Sequence, residues 1–285
     1  MTEPHTRIEQ TMRSKQTEQT AQPAERTTGP AGRAVRVVRA DPAGQQPVRE
    51  PEGLVNFRDL GGLRAATATI RPGVLCRSAG LASLTEAGLA TLRDGAVAVV
   101  VDLRSEQEAV AAPATAHPVT VRLPLLDGDA LAMARVPTLG EVYANLLETA
   151  GRAFAHVARV VAETTDGAVL VHCTAGKDRT GLAVALLLEA VGVDRETVVA
   201  DYALSEDRLR GAWAERMTAS VRAMGVEVTP GLETLITRSP APVMAETLDR
   251  LDSGYGGAAR YLTAHGLDAD TLARLRGRLL SPGTA

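Results

Sequence analysis

Aromatic side chains are nearly missing from this chain of 285 residues: phenylalanine, tryptophan and tyrosine together make up 2% of it. A core must therefore be built from Ala, Val and Leu, and nothing suggests stacking platforms for nucleic-acid bases. Cysteine is scarce as well; Cys76 and Cys173 are too few for a disulfide framework. No apolar run approaches the ~18 residues of a membrane span. The N-terminus from Met1 to Gln22 is polar throughout, without the apolar centre of a secretory signal. An excess of basic charge is lacking too, since the formal net charge is -3, which argues against bulk nucleic-acid binding. These absences point to a cytoplasmic, reducing setting, with no integral membrane segment and no nucleic-acid partner. The content that is present, 45% hydrophobic, suffices at this length for a full core.

Residues 1–50 are rich in Thr, Gln, Glu, Arg and Pro and carry no sustained apolar period. That composition cannot offset the entropy of ordering, and the stretch is expected to be a disordered tail. Within it, Ala34–Arg39 alternates weakly and is a candidate edge strand. Residues 51–285 are expected to form one catalytic domain. There, Asn56-Phe-Arg-Asp-Leu-Gly-Gly62 reads either as a turn held by an Arg58–Asp59 pair or as a wall of a site. Ser83-Leu-Thr-Glu86 reads as a capping box for a helix through Leu92. The continuous apolar stretch from Ala96 to Arg104 is a strand covered on both faces, with Asp102 and Arg104 at its C-terminal end, first as a structural ion pair and second as part of a ligand site. Val119–Leu123 is a further strand, followed by a loop with Asp127 and Asp129. A second capping box, Thr138 to Glu141, opens a helical region that breaks near Gly151.

The stretch that organises the chain is Val169–Val191. It reads as a buried strand, a tight loop from His172 to Gly181, and a helix. Cys173 leads the loop and Arg179 closes it, a Cys-x5-Arg spacing that wraps backbone N–H groups around an oxyanion at a helix N-terminus. The helix and the arginine favour the thiolate, which can attack phosphorus. Arg179 offers a planar fork to two phosphate oxygens, while the N–H groups of Thr174, Ala175, Gly176 and Lys177 hold the remaining charge. Thr180 places a hydroxyl where it could donate to the sulfur. Lys177 adds charge at the rim, and His172 is a strand-end hydrogen-bonder. A proton donor for the leaving group is also needed: Asp178 is one candidate, Asp127 and Asp129 the others. No His, Asp and Glu cluster has metal-ligand spacing, so neither a metal nor another cofactor is expected.

After the loop, Asp194 is expected to cap a helix through Tyr202. Leu209, Trp213, Met217 and Val221 recur along another that ends at Gly225. The 205–225 region packs against the sheet or forms a lid over the site. Closing helices are expected over Pro240–Leu251, Tyr255–Ala264 and Asp268–Leu280. Strands alternating with helices imply an α/β fold, a central parallel or mixed sheet flanked by helices.

At His172-Cys-Thr-Ala-Gly-Lys-Asp-Arg-Thr-Gly181 the chain resembles the cysteine-dependent protein tyrosine phosphatase superfamily and, within it, the atypical bacterial PtpB-type phosphatases. The likeness extends to Asn56–Gly62, Cys76-Arg-Ser78, Val101-Asp-Leu-Arg-Ser105, Asp201-Tyr-Ala-Leu-Ser205 and Tyr255-Gly-Gly257, and so covers residues 52–280. It implies a phosphatase fold with an added helical lid after the loop, and activity extending from phosphotyrosine to phosphoserine, phosphothreonine and phosphoinositides. Lys177 looks like the family residue tied to phosphoinositide use, and Asp178 like the loop aspartate proposed as acid. The Trp-Pro-Asp loop of eukaryotic relatives is absent. The resulting expectation is a phosphomonoesterase working through a Cys173 phosphoenzyme on a phosphorylated protein or a phosphoinositide, with Arg58 and Asp59 among the substrate-binding residues. A small-metabolite phosphatase is the alternative enzyme, and a non-catalytic phospho-group binding module the alternative of another class.

Overall fold

Apolar, β-branched runs become the strands of one mixed sheet. The strands are β1 (Arg58–Asp59), β4 (Leu75–Ser78), β5 (Val97–Asp102), β6 (Thr120–Arg122) and β7 (Ala168–His172), in the order β1-β4-β7-β5-β6. Only β1 is antiparallel to its neighbour; β4, β7, β5 and β6 run parallel. The computed structural model describes residues 46–113, 119–125 and 137–281. The edge strand expected at Ala34–Arg39, nearly all of the expected tail and the loop with Asp127 and Asp129 lie outside those residues. A second, antiparallel sheet of β2 (Arg64–Ala65), β3 (Ala68–Ile70) and β8 (Leu280–Ser281) ties the end of the described chain back to its beginning. Strands of two or three residues carry too little pattern to be read from sequence.

The central strand β7 shows why the sheet is two-sided. Val169 and Val171 join the larger apolar cluster on one face, while Ala168 and Leu170 join a smaller cluster with Val48, Phe57 and Cys76 on the other. The alternation is the period-two geometry of a strand. Along β5 a register shift between Val97 and Val99 puts Val97 and Val100 on the same face.

Helices flank the sheet unequally. On the larger cluster lie α3 (Leu139–Thr149), α4 (Gly151–Glu163), α5 (Arg179–Ala190), α9 (Ala241–Tyr255), α10 (Ala258–Ala264) and α11 (Ala269–Leu279). Helix α5 buries every residue from Thr180 to Leu188, as expected of a helix apolar all round. Leu81 and Leu92, on either side of the short helix α1 (Glu86–Thr91), pack on the smaller cluster together with the loop from Val48 to Phe57.

The predicted caps meet the structure unevenly. Thr138 and Glu141 form the reciprocal capping box of α3, and the chain breaks at Ala150 before α4. The box expected at Ser83 does not form. Thr85 caps α1 by accepting from Gly88 N, and the Ser83 hydroxyl donates instead to the Gly53 carbonyl at 2.8 Å. Asp194 caps α6 (Arg195–Leu209), which runs seven residues past Tyr202. The stripe from Leu209 to Val221 is divided between α6 and α7 (Ala212–Ala223), because Gly211, at φ 78°, turns the chain between them. Helix α7 packs chiefly against α6 and the unanticipated helix α8 (Pro230–Thr237), not as a plain sheet-packing helix.

Candidate active site

Parallel pairing brings Ser78 and Asp102 into register with His172, so the C-terminal ends of β4, β7 and β5 open onto one place. In open α/β sheets this end is where ligand sites gather. Cys173 leaves β7 there, 2% exposed, and the loop to Asp178 ends at the N-terminus of α5. Gly176 is required twice: its φ is +69°, and a Cβ would meet the Ser78 carbonyl oxygen at 2.1 Å.

The loop's carbonyls are held from outside. The Thr174 oxygen accepts from Gly80 N at 3.0 Å, the Ala175 oxygen from the Asn56 amide at 3.0 Å, and the Gly176 oxygen from Arg77 Nη2 at 2.7 Å. His172 Nδ1 lies 3.1 Å from the Cys173 oxygen. A trans peptide points its N–H opposite its carbonyl, so the N–H groups face the concave side. One of them, Gly176 N–H, donates to Cys173 Sγ at 3.3 Å.

Arg179 is gripped by a residue that sequence reasoning missed. Ser105 and Glu108 form a capping box at the start of α2 (Glu106–Ala111), and the same carboxylate takes Arg179 Nη1 at 2.5 Å and Nη2 at 2.6 Å. The Thr174 hydroxyl donates to Glu108 Oε1 at 2.6 Å. Burial raises the Glu108 pKa, but the hydrogen bonds and charge of Arg179 outweigh it and hold the carboxyl down at about 2. Glu108 takes the end of the guanidinium, and no described hydrogen bond engages its Nε. The Ser-x-x-Glu spacing after Asp102-Leu-Arg104 was a readable cap signal; its second role depends on where the sheet puts α2.

Asp178 Oδ1 accepts from Lys177 Nζ and from Tyr143 OH, both at 2.7 Å, and Tyr143 OH is 2.7 Å from Tyr202 OH. Burial, then the Asp178 charge, pushes the Tyr143 phenol well up, so it stays protonated. The described hydrogen bonds leave Oδ2 unengaged. Lys177 is 1% exposed; the rim position expected of it is not observed. Its ammonium is paired with Asp178 Oδ1. Thr180 is fully buried, and its hydroxyl has no hydrogen-bond partner among the described residues, so the expected bond to sulfur is absent from this structure. His172 fits its expected place: burial lowers its pKa to about 4, leaving a neutral ring.

Arg58 and Asp59 do not pair with each other. Asp59 accepts backbone N–H groups of Val48, Gly61 and Gly73 at 2.7–2.8 Å. Arg58 turns the other way and reaches Asp201 on α6 at 2.6 Å, behind the loop. No described hydrogen bond joins either side chain to the loop from Cys173 to Arg179. Asp102 and Arg104 pair at 2.8 Å, as expected. Asp127 and Asp129 lie outside the described residues. Among the described residues no three His, Cys, Asp or Glu side chains are gathered as a metal ion would need.

A cleft of about 340 Å³ starts at Thr174 and Gly80 and is lined by Ser83, Arg104 and, from α7, Trp213, Arg216 and Met217. Helix α7 therefore walls one flank of the site, the region where a lid was considered.

A model of the tyrosine phosphatase family matches residues 50–281. The chain is 34% identical over 277 residues to the triple specificity protein phosphatase PtpB of Mycobacterium tuberculosis, with 82% of this chain and 99% of that one covered. It is 32% identical over 232 residues to a tyrosine-protein phosphatase of Nostoc commune, covering 77% and 79% of the two chains.

Proposed function

Because the chain belongs to the tyrosine phosphatase family and is a phosphatase enzyme, we propose that it hydrolyses phosphomonoesters on proteins through a cysteinyl-phosphate on Cys173. Phosphotyrosine is the first substrate class, with phosphoserine and phosphothreonine beside it. One observation carries the mechanism: the loop carbonyls from Thr174 to Gly176 are engaged outward, so its N–H groups converge beside Cys173 Sγ.

The steps follow from those positions. The phosphate docks on the loop N–H groups and on the Nε–Nη2 edge of Arg179, which Glu108 holds from its other end. Cys173 Sγ attacks phosphorus, an S–P bond forms, and the P–O bond to the leaving group breaks. The leaving oxygen takes a proton from Asp178, whose Oδ2 is the oxygen free of described partners. Water then attacks phosphorus and gives its proton to Asp178; the S–P bond breaks and inorganic phosphate leaves. Both cysteines are free, and the reduced Cys173 this chemistry needs is what a cytoplasmic setting would maintain.

Phosphoinositides belong to the proposed range more weakly, because the buried Lys177 ammonium lends them no support. The decisive experiment compares rates on phosphotyrosine, phosphoserine and phosphothreonine peptides, an inositol phospholipid, and sugar and nucleotide phosphates, for the parent and Cys173→Ser. Peptide turnover that falls at least roughly 1,000-fold in the variant is expected. Preferred turnover of the metabolites would move the assignment to a small-molecule phosphatase, and retained activity in Cys173→Ser would remove the mechanism.

A further inference from the structure

Three segments remote in sequence meet beneath the phosphate loop: Asn56 with Arg58, Arg77 on β4, and Asp201 with Ser205 on α6. All five side chains are buried, none more than 8% exposed. Arg58 Nε and Arg77 Nη1 each reach a different oxygen of Asp201 at 2.6 Å. Arg58 Nη2 also donates to the Asp201 carbonyl at 2.7 Å and to Ser205 Oγ at 3.1 Å. One carboxylate between two guanidiniums leaves a net positive charge in the interior. An aliphatic cluster would fill the same space without desolvating three ions, so the arrangement calls for another account.

The account lies in what the cluster touches. Asn56 has φ 56°, a left-handed backbone that asparagine tolerates better than most residues. Such an outlier is held only where its surroundings over-determine it. Here Arg58 Nη1 donates to Asn56 Oδ1 at 2.7 Å, which fixes the amide with its nitrogen toward the loop. Asn56 Nδ2 then donates to the Ala175 oxygen at 3.0 Å and the Gly176 oxygen at 3.2 Å. The carbonyl of Ala175 belongs to the same peptide unit as Gly176 N–H, which donates to Cys173 Sγ at 3.3 Å. Holding one end of a planar unit aims the other, and a donor on the carbonyl polarises the N–H. The next unit repeats the device: Arg77 Nη2 takes the Gly176 oxygen at 2.7 Å, so the Lys177 N–H is directed to the concave side.

We propose that Asn56 and Arg77 are positioning residues for the Cys173 chemistry, acting through the 175–176 and 176–177 peptides, with Arg58 and Asp201 holding them in place. Asn56 tunes the N–H on the sulfur and Arg77 the N–H that meets phosphate oxygen. The inference rests on the reading of Cys173 as the nucleophile.

The test uses the full chain and the variants Asn56→Ala and Asn56→Asp. The second keeps the side-chain volume and the Arg58 contact but cannot donate to the Ala175 oxygen. Three quantities are measured with no reference to a natural substrate: the rate of Cys173 alkylation by iodoacetamide at one mildly acidic pH, corrected with Cys173→Ser; the inhibition constant of inorganic phosphate; and kcat and KM for an aryl phosphate. Melting temperature is followed in parallel. The expected result is alkylation slowed at least about fivefold, phosphate binding weakened about tenfold, and a lower kcat in both variants, with the folded state retained. Alkylation and phosphate inhibition within about twofold of the parent in either folded variant would overturn the proposal, even if the melting temperature falls, because only a structural role would remain. A parent that is alkylated yet does not turn over aryl phosphate would instead count against the phosphatase mechanism, while the alkylation comparison would still decide the positioning role.

Discussion

Single side chains in this site take two partners at once, and their substitution separates roles. Asp178 holds Lys177 and Tyr143 on one oxygen and keeps the other open. Asp178→Ala is therefore expected to flatten the acidic-to-neutral limb of the kcat profile with an aryl phosphate, more than Asp127→Ala or Asp129→Ala; a larger change in either of those would move the acid to their loop. Glu108 caps α2 and grips Arg179 with the same carboxylate. Glu108→Gln keeps the shape but loses the charge, and kcat/KM is expected to fall about tenfold as Arg179 loses its fixed edge. Glu108 also sets a pH window. Its folded pKa of about 2 lies below the ordinary value of 4.5, so the unfolded chain binds the proton first and stability rises with pH between them. The stability difference between parent and Glu108→Gln should be full above that ordinary value and shrink as pH falls toward the folded one. Denaturant unfolding at several acidic pH values reads it directly.

Helices and strands act through what their ends present. Helix α5 offers its N-terminus to the site because its apolar body, buried from Thr180 to Leu188, fixes it against the sheet. The ends of β4 and β5 supply the Gly80 N–H and the Asp102–Arg104 pair that frame the loop. Helix α7 is different: Val221 is buried, whereas Trp213 and Met217 are only partly covered and face the cleft beside Thr174. Those two side chains suit contact with the part of a substrate beyond its phosphate. Trp213→Ala is expected to raise KM for a phosphopeptide about threefold to tenfold while leaving a small aryl phosphate nearly unchanged. Equal effects on both substrates would mean that α7 merely supports the loop.

At the scale of the whole molecule, the family match spans residues 50–281 and holds Cys173, Asp178 and Arg179 within it. A chain beginning at Gln46 is expected to keep kcat/KM within about twofold of the full chain on the same phosphopeptide. A larger loss would assign residues 1–45 a part in catalysis or folding. The α/β class, the main strands, the Thr138 box and the loop from Cys173 to Arg179 were legible because each is a local pattern: an apolar run, a cap spacing, a nucleophile and a cation around glycine. The Ser83 box misled because two cap-forming residues stand near one helix start, and Gly53 claims the serine. Lys177 was misplaced because charge suggests a surface, whereas the side chain is buried and paired with Asp178. Glu108 was legible as a cap alone, and Asn56, Arg77 and Asp201 were legible as members of segments that carry the family likeness, not as supports of the loop. The sequence by itself determined the chemistry, a thiol and an arginine set around an anion-binding turn. Only the tertiary structure decided which groups hold that turn, because parallel pairing of β4, β7 and β5 and the docking of α2 and α6 bring together residues from 71 to 147 positions apart, and no local pattern records such a meeting.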